Sequence, residues 1–138
     1  MIIIGNGVDI VDNDRIKDSL KIKGFIKRVF AESEINQSKN KKNKVSFFAK
    51  RFAAKEAFVK SIGTGFRNNI NFKDIEIINT FKGKPILKLS ESTKIFLKKK
   101  FKINNYKIFL SLSDEKKYSI AYVVFSKIKW LKNLLSIM

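Results

Sequence analysis

Two carboxylates and one lysine define the chemistry open to this chain. Glu56 interrupts the run Phe52-Ala-Ala-Lys-Glu56-Ala-Phe-Val-Lys60, and Asp9 follows a pair of glycines in Gly5-Asn-Gly7-Val-Asp9. At roughly 100° per helical residue, Glu56 falls about 40° from Phe52, between the directions of Val45 and Ala49, on a face that a core should own. An ionised carboxylate is costly to bury without a partner. Three partners suit it: Lys60 one turn on, a bound cation, or a proton-transfer step. Lys60 lies C-terminal to Glu56 at the spacing that favours a helical ion pair, and taken alone that pair is the simplest account. If the strand carrying Asp9 packs on this helix, however, the two acids could converge on one cation. Two carboxylates from separate elements, with the other positions left to water and phosphate, make a common Mg²⁺ arrangement.

Composition narrows the chemistry further. The chain has no cysteine and no histidine, which excludes disulfides, thiol nucleophiles, thiolate or imidazole metal sites, and Ser-His-Asp catalysis. Acid-base work must then fall to carboxylates, Lys, Tyr or water, and a metal site to oxygen ligands, which suit Mg²⁺, Mn²⁺ or Ca²⁺. A net charge of +18, from 30 Lys and Arg against 12 Asp and Glu, favours an acidic partner: nucleic acid, anionic lipid, a phosphorylated cofactor or an acidic protein. Much of the lysine excess is equally explained as solvated surface. The four arginines, Arg15, Arg28, Arg51 and Arg67, stand out because only guanidinium gives planar bidentate contacts.

The elements that must position these groups can be read from periodicity and turn residues. With 138 residues and 44% hydrophobic content, one folded domain is expected over residues 1–126, followed by a basic amphipathic extension over 127–138. Ile2 to Val11 reads as a first strand. Asp12, Asn13 and Asp14 offer N-caps to a helix through Arg15, Ile16 and Leu20, which Gly24 would end. Phe25 to Phe30 is a short helical piece, Ser33 a cap for a turn holding Glu34 and Ile35, and 36–44 an exposed connection. The long helix runs from Val45 to about Ile62, where Gly63-Thr64-Gly65 stops it. That turn also presents backbone N–H groups suited to a phosphate. Phe72 to Ile78 and Ile86 to Leu89 form a hairpin around Lys82-Gly83-Lys84-Pro85. Ser90 or Ser92 caps a helix through Ile95, Phe96 and Phe101, whose Lys98-Lys99-Lys100 suits a C-terminal dipole. Tyr106 to Leu112 and Tyr118 to Phe125 pair as a second hairpin. The tail places Leu131, Leu134, Leu135 and Met138 at helical spacing beside Lys129 and Lys132, suited to packing on protein or to a membrane surface. The order of elements predicts an α+β fold with a largely antiparallel sheet wrapped around or packed on the long central helix. Met1-Ile-Ile-Ile4 is too short for a signal peptide and no stretch approaches a membrane span. A cytoplasmic protein without stable membrane insertion is therefore expected.

At this point a family resemblance enters. Gly5-Asn-Gly7-Val-Asp9-Ile-Val, Arg15-Ile16, Phe25-Ile-Lys-Arg28-Val-Phe30, Ser33-Glu34-Ile35 and above all Arg51-Phe-Ala-Ala-Lys-Glu56-Ala-Phe-Val-Lys60-Ser-Ile-Gly63-Thr-Gly65 resemble the bacterial holo-[acyl-carrier-protein] synthases of the 4′-phosphopantetheinyl transferase superfamily. Asp74-Ile-Glu76-Ile, Gly83-Lys84-Pro85, Ser111-Leu-Ser113-Asp114 and Tyr118-Ser-Ile-Ala121 follow in the same order, so the resemblance spans roughly residues 1 to 125. It implies transfer of the phosphopantetheine arm of coenzyme A to a serine of apo acyl carrier protein in fatty acid biosynthesis, releasing adenosine 3′,5′-bisphosphate. It also implies that Asp9 and Glu56 hold Mg²⁺ (or Mn²⁺), with Lys60 beside the transferring phosphate. Arg51, the 63–65 turn and Ser113 would line the coenzyme site, and Arg15 and Arg28 would meet the carrier protein. A homotrimer with active sites at subunit interfaces is implied as well. The chain departs from the pattern at Asn6, where a small or apolar residue is common, and at Asp114, where some members carry His.

Two other classes compete. A basic nucleic-acid-binding module would explain the charge and could use Phe47, Phe66, Phe72 and Tyr106 to stack on bases. No motif of that class appears, and no nucleic acid is expected as partner. A catalytically silent relative that only binds carrier protein would not need Asp9, Glu56 and Lys60 together.

Overall fold

The computed structural model describes residues 1–129. The tail from Trp130 to Met138, and with it most of the expected extension, lies outside the described residues. Among the described residues, five α-helices and five strands run in the order β1 (Ile2–Asp12), α1 (Asn13–Leu20), α2 (Phe25–Val29), α3 (Glu32–Ser38), α4 (Lys44–Ser61), β2 (Ile75–Asn79), β3 (Pro85–Leu89), α5 (Glu91–Phe101), β4 (Tyr106–Asp114) and β5 (Tyr118–Lys127). All pairing is antiparallel, as expected, but it forms two sheets: β1-β5-β4 and the hairpin β2-β3.

Helix α4 is the spine. Its N-terminal half closes a cluster with α1 and α2 through Phe47, Phe48, Ala49, Ile16, Val29 and Phe30. Its C-terminal half lies across β1 and β5 and packs Ala53, Ala54, Ala57, Phe58 and Val59 against Ala121, Val123 and Phe125. A helix enclosed on most sides loses the single apolar stripe that periodicity looks for. That is why the wheel misplaced the buried charge: Lys55 is fully enclosed, whereas Glu56 sits half-buried at a rim. Lys55 Nζ donates to Glu34 Oε1 (2.7 Å) and to the carbonyls of Phe72 (3.1 Å) and Ile75 (2.6 Å), and Glu34 Oε1 also accepts the Ala31 N–H (2.9 Å). This network ties α3, α4 and the start of β2 together, and it meets the rule that buried charge must be paired and hydrogen-bonded.

The glycines of β1 explain how strand and helix come so close. A Cβ on Gly5 would stand 2.0 Å from the Ser61 carbonyl oxygen, and one on Gly7 would stand 1.9 Å from that of Ala57. Only hydrogen side chains let β1 lie on the backbone of α4, and this contact carries Asp9 to the helix.

Several local expectations are corrected. Gly24 does not end α1, which stops at Leu20 with Lys21 as its C-cap; with φ +84° Gly24 instead opens α2. Ala31, not Ser33, is the N-cap of α3, because the Glu34 side chain reaches back to the Ala31 N–H, and Ser33 donates to Glu76 on β2. Helix α3 continues to Ser38 into the expected connection. Phe72 to Asp74 forms a 3₁₀ turn before β2, since Asp74 accepts the Asn71 N–H and bends the chain there. Asp12, Ser90 and the long helix behave as read: Asp12 accepts the Asp14 N–H, Ser90 accepts the Thr93 N–H, and Gly63 leaves α4 at φ +74°.

Candidate active site

Asp9, from β1, and Glu56 and Lys60, from α4, line one cleft of about 440 Å³ whose other wall is α1 with Arg15, Ile16 and Ser19, closed at one end by Phe25 and Phe52. The strand delivers Asp9 because its inward glycines seat it on the helix. The helix delivers Glu56 and Lys60 to the same side, one turn apart. Asp12 also reaches the cleft but serves as the cap of α1.

Lys60 does not pair with Glu56. Its Nζ lies 3.0 Å from Asp9 Oδ1 and 3.0 Å from the Val8 carbonyl oxygen, to both of which it donates. The Lys60 side chain is 52% exposed and that of Asp9 15%, so the lysine forms the solvent-side lip of the cleft. Glu56, left without an ion-pair partner among the described residues, has its carboxyl pushed up from the usual range, first by burial and then by the charge of Asp9, with Lys60 acting the other way. Two carboxylates from separate elements facing one open cleft are a donor set that could hold a divalent cation. Among the described residues there is no cluster of three or more acidic side chains. Any cation here would therefore depend on two protein carboxylates plus ligands from water or substrate, which is how Mg²⁺ is usually bound beside phosphates.

The remaining sequence-selected residues fall into three places. The turn Gly63-Thr64-Gly65 follows Lys60 after Ser61 and Ile62, with Thr64 buried and both glycines at positive φ. Arg28 is exposed on α2, on the same helical layer as Arg15. Arg51 and Ser113 lie elsewhere. Arg51 forms the floor of a second depression of about 380 Å³ lined by Lys41, Lys42, Asn43, Lys50 and Pro85, which shares no residue with the first. Its guanidinium sits 3.5 Å above the Phe47 ring and donates weakly to the Phe47 carbonyl (3.4 Å) and Gln37 (3.5 Å), and its Nε has no partner among the described residues. Burial lowers its pKa to about 10, against the pull of Glu34. Ser113 is exposed near the end of β4, next to Asp114, whose carboxyl is held down by the Ser46 hydroxyl and by Lys50.

Sequence reasoning overlooked Lys50, Lys41 and Lys42 beside Arg51. Their only signal was a charge run that also fits a solvated surface. The aromatics proposed for base stacking are occupied by one another: Phe66 stacks on Phe72 with centroids 3.8 Å apart, Phe72 on Phe52 at 5.4 Å, Tyr106 meets Phe125 edge-on, and Phe47 is buried.

Comparison with known proteins decides what this arrangement belongs to. The model of the 4′-phosphopantetheinyl transferase superfamily matches residues 5–123. This chain is a member of that superfamily. It is 59% identical over 127 residues to the holo-[acyl-carrier-protein] synthase of Pelagibacter ubique, covering 92% of this chain and 99% of the relative. It is 47% identical over 127 residues to that of Ehrlichia chaffeensis, covering 88% and 95%. Among solved structures, this transferase-superfamily chain superposes on a holo-(acyl-carrier-protein) synthase from Bacillus anthracis in complex with CoA (3′,5′-ADP), with TM-score 0.77, 35% identity, and 93% and 100% coverage. It superposes likewise on the Helicobacter pylori synthase in complex with coenzyme A, with TM-score 0.72, 33% identity, and 88% and 99% coverage. The α+β, antiparallel architecture is that of these phosphopantetheinyl transferases.

Proposed function

We propose that this chain is a holo-[acyl-carrier-protein] synthase, which transfers 4′-phosphopantetheine from coenzyme A to a serine of apo acyl carrier protein and thereby serves fatty acid biosynthesis in the cytoplasm. The observation that carries this reading is the convergence of Asp9, Glu56 and Lys60 on one cleft in a chain that lacks histidine and cysteine. Phosphoryl transfer asks for positioning and charge neutralisation rather than a protein nucleophile.

In the reaction the carrier's serine oxygen bonds to the phosphorus that bears the pantetheine arm. The bond from that phosphorus to the bridging oxygen breaks, and adenosine 3′,5′-bisphosphate leaves. Asp9 and Glu56 would hold Mg²⁺ (or Mn²⁺) against the coenzyme's pyrophosphate. When bound, the metal would supply Lewis acidity toward the phosphoryl oxygens and the departing phosphate. Lys60, at the solvent-side lip, offsets charge on the transferring group. The serine proton passes through a water to Asp9 or Glu56, or to a water that the metal would hold, since no imidazole or thiol is present to take it. Arg15, on the cleft wall, and Arg28, on the neighbouring helix, face an acidic carrier approaching the metal-binding groups.

Arg51 fits the coenzyme's phosphates for a separate reason. A buried guanidinium whose Nε has no partner among the described residues, beneath three lysines, suits an anion. With the 63–65 turn and Ser113 it would line the rest of the coenzyme site, although it belongs to a different depression from Glu56. A homotrimer reconciles the two by letting one protomer's Arg51 region face another's Asp9 cleft. The sheet supports such assembly: Val8, Ile10, Phe109, Ile120 and Tyr122 leave an apolar face exposed opposite α4, and a contiguous patch of this kind marks an interface.

The test is direct. Incubated with coenzyme A, Mg²⁺ and apo acyl carrier protein, the chain should add one phosphopantetheine to the carrier by intact mass. No gain at any Mg²⁺ or Mn²⁺ level would refute the assignment.

A further inference from the structure

Two kinds of contact hold the helix that carries Glu56 and Lys60. Where β1 crosses α4, the strand presents Gly5 and Gly7 to the Ser61 and Ala57 carbonyls, and the enclosed Ala53, Ala54 and Ala57 of the helix offer one methyl each. Apolar contact is non-directional, so a smooth seam of this kind brings strand and helix together without setting how the helix is turned about its axis. The Lys55–Glu34 pair supplies the direction that the seam lacks. An ammonium has three protons to donate, and Lys55 Nζ has an acceptor for each: Glu34 Oε1 at 2.7 Å, the Phe72 carbonyl at 3.1 Å and the Ile75 carbonyl at 2.6 Å. Glu34 is fixed in turn, since its Oε1 accepts the Ala31 N–H at 2.9 Å and its Oε2 the Ile77 N–H at 3.4 Å. Both side chains are fully enclosed.

Stability alone does not account for this pair. Desolvation of two buried charges offsets much of their attraction, and well-packed apolar residues of similar volume are often as stable or more so. Orientation accounts for it better. A helix turns about 100° per residue, so fixing Lys55 fixes the direction of the next residue, Glu56. Nothing else near the cleft does this: Glu56 has no ion-pair partner among the described residues, and Lys60 reaches Asp9 from an exposed position.

We propose that the Lys55–Glu34 pair is a positioning element of the active site, which sets the rotation of α4 and so holds the Glu56 carboxylate toward Asp9 at the spacing that a shared divalent cation needs. Lys55 and Glu34 touch neither the cation nor the substrate in this role. They act through Glu56, and the role rests on Asp9 and Glu56 being the ligands of that cation.

Mn²⁺ titrated into the full chain with coenzyme A, and read from loss of the free-ion electron paramagnetic resonance signal against a coenzyme-only blank, tests this apart from activity. In Lys55→Met/Glu34→Gln the methionine fills the space of the lysine stem, and the glutamine oxygen can still accept the Ala31 N–H. This variant should bind Mn²⁺ about tenfold more weakly, the usual loss when a group that orients a metal ligand is removed. The Mg²⁺ concentration for half-maximal transfer should rise in proportion. Leu97→Ala, a cavity in the enclosed face of α5 remote from the pair in the chain, should lower the melting temperature and keep the original Mn²⁺ affinity. Glu34→Asp, which keeps both charges and shortens the reach by one methylene, should lose Mn²⁺ affinity in the same direction, and it decides the matter if the double variant does not fold. Unchanged Mn²⁺ affinity in the folded double variant or in Glu34→Asp would overturn the proposal, as would an equal loss in Leu97→Ala. Absence of Mn²⁺ binding by the unaltered chain would remove the metal site itself and this role with it, an outcome distinct from a site that binds and is indifferent to the pair.

Discussion

Lys60 reaches across from α4 to β1 and pairs with Asp9, with Nζ 3.0 Å from Oδ1, instead of turning back to Glu56 on its own helix. The pair holds a cation at the mouth of the cleft, next to both carboxylates, where a transferring phosphate would pass. Its exposure means that it contributes little to folding, since such pairs are worth about 0–1 kcal/mol. Lys60→Met should leave the melting temperature nearly unchanged while reducing the transfer rate by about 10²-fold or more, the usual loss of a charge-stabilising group. Intact-mass kinetics at saturating carrier, beside a thermal melt, check both halves.

Glu56 gives a pH-dependent prediction. Its folded-state pKa is raised above the ordinary 4.5 by burial and by Asp9. The folded protein therefore holds this proton more tightly than the unfolded chain, and ionising Glu56 costs stability as pH rises from 4.5 through the raised value. A cation between the carboxylates would offset that cost only where Glu56 is ionised. The gain in melting temperature on adding Mg²⁺ should accordingly be small at low pH and grow as pH rises through this window. In Glu56→Gln the gain should be reduced at every pH and transfer should fall sharply; unchanged activity of this variant would remove Glu56 from the metal site.

Gly7 sets the distance between Asp9 and the helix. A methyl group there would stand 1.9 Å from the Ala57 carbonyl oxygen, a backbone atom that cannot swing away. Gly7→Ala should cost at least the ~1–3 kcal/mol of ordinary overpacking, and it should lower transfer further by lifting Asp9 away from Glu56. Denaturant titration and the transfer assay measure the two effects, and Asn6→Ala, at an exposed neighbour, serves as the control.

The buried Lys55–Glu34 pair predicts strong non-additivity. Lys55→Met leaves the enclosed Glu34 carboxylate without its cation and should destabilise by about 3–5 kcal/mol. Lys55→Met/Glu34→Gln removes both charges, so it should recover a sizeable part of that loss in a double-mutant cycle read by urea unfolding. Burial keeps Lys55 below its ordinary pKa even though Glu34 pulls it upward, as expected where pairing has not fully offset desolvation.

By itself the sequence determined which groups could do chemistry here. With no His and no Cys, Asp9, Glu56 and Lys60 were the candidates because residue type is a property of the chain alone. The helix around Glu56, the cap at Asp12, the stop at Gly63 and the β4-β5 hairpin were also legible, because each depends on neighbours within a few residues. Only the tertiary structure decided who partners whom. Local spacing favoured Glu56–Lys60, but packing of β1 on α4 gave Lys60 to Asp9, over fifty residues away, and left Glu56 without that partner. The helical wheel singled out Glu56 as the enclosed charge. Because α4 is covered on most sides, that place went to Lys55, and its partner Glu34 had no local signal at all. The role of Gly5 and Gly7 was equally hidden: in sequence they read only as a pair of glycines ahead of Asp9, and the approach of a helix backbone shows why no larger side chain fits.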